Sequence, residues 1–539
     1  MSSSSFNEQY RHGSARWADD YELRAAGLLN GRGLPIGFAG HHHLRLEGDA
    51  PLVTIGGAGS GKLRDVIGHI FGALGHGGPM IVLDPRGEIA ATFLPALAHA
   101  GIQGYLWNPY GLHGLPSHSC NPLDPIDPRA PTFHADCKLS ARSLITVTSK
   151  AEGKYFEQRG SGWADVLLKR LAEVTGGASL PALMRTVNLI ESGARSWPEF
   201  LEGMVQSAFE DVRRTAGEML TKQQDSPREF GSIMGEIYGS LSFLDDPALQ
   251  RSLEYPDFSL AELCRSDKTV VVFLMMPAEY LHQSSAVLRQ FFMASMLYKS
   301  RAPGSGRVLM LIDEAAQLGS FPGLQMAYTY GRGIGIRPWT FWQDIGQIIH
   351  NFGPTGVQTF LGSSQMRQFF GVRDYQTAKL ISDMLGSETL EYDDKRLQEA
   401  AKRQKVQAVQ RLIAGDDPLN ALLDVAHYGQ AAKLRTKQAR KLVTEDEILS
   451  MPEDRQILFI SGKNLPPVSA LKLPYFSRPE MAGLYLPNPY HPPQDSVQIA
   501  TRWGTRRARV IREPVPGKFA SFAQYREGSW AYVEGYKPT

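Results

Sequence analysis

The sequence predicts an α/β fold, in which helices cover both faces of a mostly parallel sheet and an all-helical domain is inserted. Its strand-like runs are continuously apolar, as strands are when both faces of a sheet are covered. Helical patterns such as residues 285–300 separate these runs, which indicates a doubly wound arrangement. The strand-like runs are LVTIGG, MIVLDP, TVVVFLMM, RVLMLIDE, RPWTFWQD and QILFISG.

One long interval breaks the alternation of strands and helices. Residues 131–260 show helical periodicity, as in GWADVLLKRLAEV, and little strand signal. We therefore expect an all-α domain there, inserted into an α/β nucleotide-binding domain formed by residues 47–130 and 261–476. An N-terminal segment, 1–46, and a C-terminal tail, 477–539, complete the predicted organisation.

Two segments are locally basic, although the whole chain carries a net charge of only +2. A nucleic-acid surface would therefore have to be local. Residues 390–441 form a polar, basic insertion or linker in the α/β domain, and the tail contains TRWGTRRARVIR. Both could touch DNA phosphates, or could be solvated charged surface. The residues concerned are Lys402, Arg403, Lys405, Arg411, Lys433, Arg435, Lys437, Arg440 and Lys441, with Arg502, Arg506, Arg507, Arg509 and Arg512 in the tail.

The composition is that of a globular protein of 539 residues, 42% hydrophobic and 21% charged. Cys120, Cys137 and Cys264 form no CxxC pair, which argues against a disulfide framework or a zinc site and fits a reducing compartment. The N-terminus has no apolar core of a signal peptide, and no run of about 18 apolar residues occurs. We therefore expect a soluble, cytoplasmic chain.

A glycine-rich loop predicts a site for nucleotide phosphates. It follows the strand PLVTI and opens a predicted helix, so backbone N–H groups, the helix N-terminus and Lys62 can all face phosphate oxygens. The pattern departs from the usual one at Leu63, where Ser or Thr would bind Mg²⁺. The residues of this loop are Gly56, Gly57, Ala58, Gly59, Ser60, Gly61, Lys62 and Leu63.

A pair of carboxylates predicts the catalytic half of the site. The apolar strand RVLMLI ends in Asp313 and Glu314. Downstream of a phosphate loop, Asp313 would hold Mg²⁺ through water, and Glu314 would polarise the attacking water as general base.

Two further polar residues fall at useful positions. Gln343 ends the strand RPWTFW, where it could sense the γ-phosphate. Arg332 lies in a predicted glycine-rich turn, where it could reach a neighbouring subunit's nucleotide as an arginine finger. Spacing alone leaves open that either is a solvated surface residue.

Four segments, which follow one another along the chain, resemble the type IV coupling proteins, the DNA-transfer ATPases of conjugative secretion systems. They are GGAGSGK, VLDPRGEIAATF, LMLIDEAAQLGSFPGLQMAYTYGRGIGIRPWTFWQD and RQFFGVRDYQTAKLISDMLGSETL. The similarity extends from about residue 12 to 476. It implies a RecA-like nucleotide domain with an inserted all-α domain, binding ATP with Mg²⁺ and working as a ring, usually a hexamer. At the matching positions, the resemblance implies the roles given above for Lys62, Asp313, Glu314, Gln343 and Arg332. It also implies that Asp84 and Glu88 belong to a second family signature near the site.

The resemblance also implies partners: single- or double-stranded DNA with its relaxase, or effector proteins, and the subunits of the secretion channel. Members usually carry two N-terminal transmembrane helices. Their absence favours a soluble member, peripheral at the inner membrane through the secretion apparatus, over a shortened chain.

Three functions compete: an ATP-driven motor, a nucleotide-holding receptor with little turnover, and a chromosome or phage DNA pump, which the similarity disfavours. Leu63 favours the receptor. The presence of Glu314 with the other catalytic groups favours hydrolysis, since water can replace the missing Mg²⁺ ligand. We therefore expect slow ATP hydrolysis.

Overall fold

Eleven strands form the central sheet of the protein. The computed structural model describes residues 13–147, 152–192, 195–392, 395–414, 418–431, 436–491 and 493–539. The described residues form these eleven strands and five others, β10, β11, β14, β15 and β16, which belong to two smaller sheets. In chain order the strands are β1 (Leu34–Ala39), β2 (His42–Leu46), β3 (Leu52–Gly56), β4 (Met80–Pro85), β5 (Gln103–Trp107), β6 (Val270–Met276), β7 (Val308–Ile312), β8 (Ile336–Trp342), β9 (Met366–Phe370), β10 (Ser387–Tyr392), β11 (Thr436–Lys441), β12 (Arg455–Ile460), β13 (Val468–Leu471), β14 (Ser496–Thr501), β15 (Gly504–Pro514) and β16 (Ser529–Val533).

The sheet order is β2-β1-β13-β12-β9-β3-β8-β7-β4-β6-β5. The seven strands from β9 to β5 pair in parallel, whereas β12 pairs antiparallel with β9 and β1 pairs antiparallel with both β13 and β2. All residues of β3, β6, β7 and β8 are buried. The continuous apolar runs in the sequence follow from this burial, and the predicted α/β class is confirmed.

Helices connect the strands. They are α1 (Asp20–Ala25), α2 (Gly68–Gly72), α3 (Glu88–His99), α4 (Phe133–Leu144), α5 (Glu152–Thr175), α6 (Leu180–Glu191), α7 (Ser196–Val205), α8 (Glu210–Asp225), α9 (Pro227–Leu241), α10 (Pro247–Glu254), α11 (Ser285–Arg301), α12 (Pro322–Ile334), α13 (Ile345–Phe352), α14 (Pro354–Ser363), α15 (Tyr375–Leu385), α16 (Lys395–Ile413), α17 (Pro418–Ala431) and α18 (Glu445–Leu449). Among the described residues, no helix has the length and apolar character needed to cross a membrane.

The interval expected to be helical contains α4 to α10. Between the end of β5 and the start of β6, every strand or helix that the structure describes is a helix. Arg289 of α11 donates to the carbonyls of Ser143 and Leu144 at 2.6 and 2.9 Å, which ties α4 to the helices of the α/β part. The predicted boundaries 131 and 260 stay predictions.

The described residues divide into two compact units. The smaller consists of the described parts of Met1–Ala18, Arg373–Met451 and Pro466–Val468, and the larger of Asp19–Val372, Pro452–Leu465 and Ser469–Thr539. Helices α15 to α18 and the β10–β11 pair belong to the smaller unit, which includes the predicted basic stretch. Of that stretch, Lys433 and Arg435 lie outside the described residues.

The predicted terminal segments contain regular structure in the larger unit. Strands β1 and β2, within residues 1–46, extend the sheet at one edge. In the tail, β14, β15 and β16 form a separate antiparallel sheet. Phe519, Tyr525, Trp530 and Tyr532 form a buried aromatic cluster beside Ala98 of α3, so the tail is folded against the α/β part.

Candidate nucleotide-binding site

The glycine-rich loop runs from the end of β3 into a π-helical turn, Lys62–Ile67, that continues as α2. Gly59 and Gly61 have φ angles of +72° and +84°, a region that glycine enters without strain. A Cβ on Gly61 would lie 2.4 Å from Oδ2 of Asp65, so only glycine fits there. The loop and the first helical turn border a cavity of about 880 Å³, within the usual range for ligand sites.

The topology of the sheet explains why distant residues meet at this cavity. Strands β3, β8, β7 and β4 are neighbours and run parallel, so their carboxyl ends lie at one edge. The ends of these strands carry the loop, Gln343, the Asp313–Glu314 pair and Asp84 respectively. Residues 58–63 of the loop border the cavity, as do Gln343, the Asp313–Glu314 pair, Asp84 and Glu88, whereas Gly56 and Gly57 do not. This is the carboxyl-end position expected for ligands of open α/β sheets.

Glu314 is held between the loop lysine and the strand-end glutamine. Its Oε2 lies 3.3 Å from Nζ of Lys62, and its Oε1 accepts a hydrogen bond from Nε2 of Gln343 at 2.5 Å. Glu314 also has φ +61°, a strained conformation for a residue with a side chain. The carboxylate is therefore positioned by both backbone and partners, as a general base must be.

Asp313 presents an unused carboxylate oxygen. The residue is partly exposed, but its Oδ1 is buried and has no hydrogen-bond partner among the residues that the structure describes. Burial raises the pKa of Asp313 to about 6, opposed by the charge of Lys62 and reinforced by Glu314 and Glu88. A buried, orphaned carboxylate oxygen is the kind of ligand that Mg²⁺ prefers, so the donor set fits a cation here.

Asp84 and Glu88 border the cavity but are engaged in local contacts. The two oxygens of Asp84 accept from the backbone N–H groups of Ile89 and Ala90, at 3.0 and 2.8 Å, at the start of α3. Burial raises the pKa of Asp84 to about 8, against the effect of these two bonds. Glu88 pairs with Arg86 at 2.9 Å and accepts from Nδ2 of Asn488 at 2.9 Å.

Leu63 borders the cavity and is partly exposed. Where the usual loop presents a hydroxyl oxygen to the cation, this chain presents a branched apolar group.

Arg332 does not border the cavity. The prediction of a turn at this residue was wrong, because Arg332 lies in the last turn of α12, which ends at Ile334 just before β8 begins. Gln343 follows the other end of β8. The Nε of Arg332 contacts Oδ2 of Asp49 at 3.0 Å, and its side chain is 69% exposed. Arg332 is therefore at the opposite edge of the sheet from its own chain's loop, and a finger role would require a second subunit.

The tail supplies a wall of the cavity that sequence reasoning missed. Tyr485, Asn488 and Val497 of the tail border the cavity, together with Tyr475 and Phe476, which immediately precede the tail. Their segment is rich in proline and tyrosine and carries no periodic signal, so only tertiary contacts reveal its position.

Lys472, just after β13, is a second residue that was missed. It is buried, donates to the Ser60 carbonyl at 2.7 Å and lies 3.3 Å from Oδ2 of Asp65. Burial lowers the pKa of this ammonium, opposed by the charge of Asp65. A lone lysine in the apolar stretch VSALKLPYF was the available signal. Lys472 supports the loop from below and does not border the cavity.

The sequence of this chain is similar to those of known proteins over most of its length. Residues 16–417 and 427–494 match the family described as "Type IV secretory system Conjugative DNA transfer". The chain is 24% identical over 468 residues to the type IV secretion system-coupling protein VirD4 of Bartonella quintana, covering 83% of this chain and 67% of the relative. It is 24% identical over 494 residues to the conjugal transfer protein TraG of Escherichia coli, covering 82% and 72%.

Solved structures show the same fold. The bacterial conjugative coupling protein TrwBdeltaN70 superposes with a TM-score of 0.56 at 15% identity, covering 85% of this chain and 93% of that one. TrwB in complex with ADP and Mg²⁺ superposes with a TM-score of 0.54 at 16% identity, covering 79% and 85%. The likeness confirms the RecA-like architecture.

Proposed function

The chain belongs to the type IV secretory system conjugative DNA transfer family and is a type IV coupling protein, and from this premise we propose that it is an ATP-hydrolysing motor. It receives a relaxase–DNA complex or effector proteins and delivers them to the secretion channel. The VirD4 and TraG relatives and the nucleotide complexes of TrwB support this proposal.

The observation that carries the proposal is the contact of Glu314 with both Lys62 and Gln343. A chain that only held a nucleotide would need Lys62 and the loop. It would not need a carboxylate kept in a strained conformation between them and a glutamine. The strain is therefore best explained by a catalytic role for Glu314.

The residues act as follows when ATP enters the cavity. Lys62 contacts phosphate oxygens in place of Glu314, which leaves Oε2 of Glu314 free to accept another hydrogen bond. Glu314 then accepts a proton from the attacking water, and Gln343, bonded to the other oxygen, keeps the carboxylate oriented. The loop N–H groups stabilise negative charge on the phosphates.

Mg²⁺ would be held by Asp313, through its unpartnered Oδ1 or an intervening water. When bound with ATP, the cation supplies positive charge that neutralises the phosphate oxygens. Leu63 offers it no ligand, so water completes its coordination.

A second candidate function is a nucleotide-holding receptor that docks substrates with little turnover. The observation that favours it is the apolar side chain of Leu63 at the cavity. Both functions share ATP binding and differ in the fate of the bound nucleotide.

The motor works as a ring of identical subunits, which we propose to be a hexamer. The exposed position of Arg332, away from its own cavity, fits contact with the nucleotide of a neighbour. The pair with Asp49 that it would have to give up is a surface ion pair, worth about 0–1 kcal/mol.

Two substitutions separate binding from hydrolysis. Glu314→Gln should retain ATP binding and lose phosphate release, because it removes the base and leaves the phosphate contacts. Lys62→Ala should lose binding itself, and Lys154→Ala, at an exposed position of α5, is the control. Titration with a fluorescent ATP analogue and a phosphate-release assay measure the two steps. If Glu314→Gln hydrolyses at the wild-type rate, Glu314 is not the base.

A further inference from the structure

Strands β14 and β15 form a hairpin that is strongly basic. From Ser496 to Arg512 the sequence contains five arginines and no aspartate, glutamate or lysine. This segment, which we call the arginine hairpin, lies beyond residue 494, where the match to the family ends. Its charge is therefore a property of this chain and is not explained by the family resemblance.

The hairpin is anchored at one end and free at the other. The far half of β15 pairs with β16, with Val510 opposite Val533 and Arg512 opposite Ala531. At the tip, Thr501 pairs with Gly504 across a turn that contains Arg502 and Trp503. The base thus rests on the aromatic cluster of the tail, while the tip projects into solvent.

Trp503 is the most unusual residue of the tip. Its side chain is 89% exposed, the highest exposure among the large hydrophobic residues that the structure describes. The guanidinium of Arg502 lies 5.5 Å from the ring centroid, over one face of the indole. The opposite face is available for another flat ring.

The arginines are weakly neutralised by the protein itself. Arg507 and Arg509 lie 3.8 and 3.9 Å from Asp495 and Glu534, too far for hydrogen bonds. Arg502, Arg506 and Arg512 have no ion pair with any residue in the described part of the chain.

The other predicted basic segment differs in this respect. Arg411 pairs with Asp424, Arg440 with Glu447 and Lys441 with both Asp383 and Glu445. These three side chains are therefore neutralised within the protein, whereas three of the five arginines of the hairpin have no ion pair in the described part of the chain.

We propose that the arginine hairpin binds single-stranded DNA. Arginines that contact phosphates together with an exposed aromatic ring that stacks on a base are the two components of single-strand binding sites. Side chains alternate along β15, so Arg506 and Arg512 stand on one face and Arg507 and Arg509 on the other. A flexible strand can follow these arginines from the tip to the anchored end and around both faces of the segment, and a duplex with a persistence length of about 50 nm cannot.

The choice of DNA over RNA rests on the proposed function. The argument that the hairpin binds a single strand rests only on its charge and its exposed indole, and does not depend on that function. The hairpin lies outside the phosphate loop, so binding should occur without ATP. Lys62→Ala should therefore bind DNA as the wild-type chain does, and a failure of the ATPase proposal would leave this test intact.

The first test measures the charge contribution in the full-length protein. A fluorescent oligo(dT) strand is titrated without nucleotide at several salt concentrations, with wild-type protein and with Arg502→Gln/Arg506→Gln/Arg512→Gln. The control Arg32→Gln/Arg129→Gln/Arg185→Gln removes the same charge from exposed positions elsewhere. Each lost phosphate contact reduces the slope of log affinity against log salt by about 0.7, so the hairpin variant should lose about 2 and the control nothing. Equal slopes for the hairpin variant and wild type would overturn the proposal.

The second test measures stacking. Trp503→Ala should weaken binding on the order of tenfold, and Trp503→Phe should retain most of the affinity. The wild-type protein should bind an oligonucleotide of abasic sites about tenfold more weakly than it binds oligo(dT). The Trp503→Ala variant should bind the two oligonucleotides with equal affinity, because it has no ring on which a base could stack. The ATPase rate without DNA should be unchanged in both variants, which checks the fold. No effect of Trp503→Ala, equal binding of duplex, or tighter binding of the matching RNA strand would each contradict the proposal.

Discussion

Leu63 is the residue at which this chain departs most from the usual phosphate loop. The residue borders the cavity and has no hydroxyl with which to bind a cation. Water can complete the coordination of Mg²⁺ in place of the missing hydroxyl, at some cost in affinity. The consequence should be a requirement for more Mg²⁺, and not the loss of hydrolysis.

Leu63→Thr should lower the Mg²⁺ concentration needed for half-maximal ATP hydrolysis. The gain should correspond to about 1–3 kcal/mol, by analogy with one hydrogen bond to a charged group. Leu63→Val is the matched control, because valine has the shape of threonine without the hydroxyl. Coincident Mg²⁺ titrations of the Thr and Val variants would show that the hydroxyl is irrelevant in this loop.

Six residues that sequence reasoning selected lie close together in the structure, because each lies at or soon after the carboxyl end of an apolar strand. Lys62, Asp84, Glu88, Asp313, Glu314 and Gln343 all border one cavity. Their proposed roles stay predictions. Lys472 was not found, since a buried lysine is recognised only once its partners, the Ser60 carbonyl and Asp65, are brought to it by the fold.

At the scale of elements, the phosphate loop depends on the strand beside it. Gly371 follows β9 with φ +57°, and a Cβ there would lie 2.4 Å from the Cβ of Ser60. The end of β9 and the loop are therefore in direct contact, with no room for a methyl group.

Gly371→Ala should weaken ATP binding by about 1–3 kcal/mol, through backbone strain and displacement of the loop. Gly362→Ala is the control, because a Cβ at that position of α14 would meet no atom within 4 Å. Binding of a fluorescent ATP analogue measures both. Unchanged affinity in Gly371→Ala would mean that the loop tolerates displacement.

Sequence reasoning missed β9 because a buried polar residue interrupts its apolar run. In β9, Gln368 is buried, accepts a hydrogen bond from Thr54 of β3 at 2.6 Å and donates to Gln456 of β12 at 2.5 Å. Buried polar groups that satisfy one another across strands interrupt the apolar run without exposing the strand. The strands of the tail were missed for another reason: their aromatic residues become a core only by packing against α3.

At the scale of the whole molecule, the position of Arg332 leads to a prediction about assembly. Because it lies away from its own cavity, it can complete only the site of another subunit. Mixing Arg332→Ala chains with Lys62→Ala chains should partly restore ATPase activity, since some interfaces then combine an intact loop with an intact arginine.

The matched control for that mixture is each variant alone at the same total concentration, which should remain inactive. Wild-type chains isolated as monomers by dilution should also lose activity. If such monomers hydrolyse ATP as fast as assembled protein, Arg332 does not act between subunits.

The central claim is that this coupling protein turns over ATP in the service of DNA transfer. Steady-state phosphate release from the assembled wild-type protein, with and without single-stranded DNA, tests it most directly, with Glu314→Gln as the background. We predict slow release that rises above the Glu314→Gln background and increases when DNA is added. Release equal to that background at every Mg²⁺ concentration, with or without DNA and despite intact ATP binding, would contradict the motor and leave the nucleotide-holding receptor.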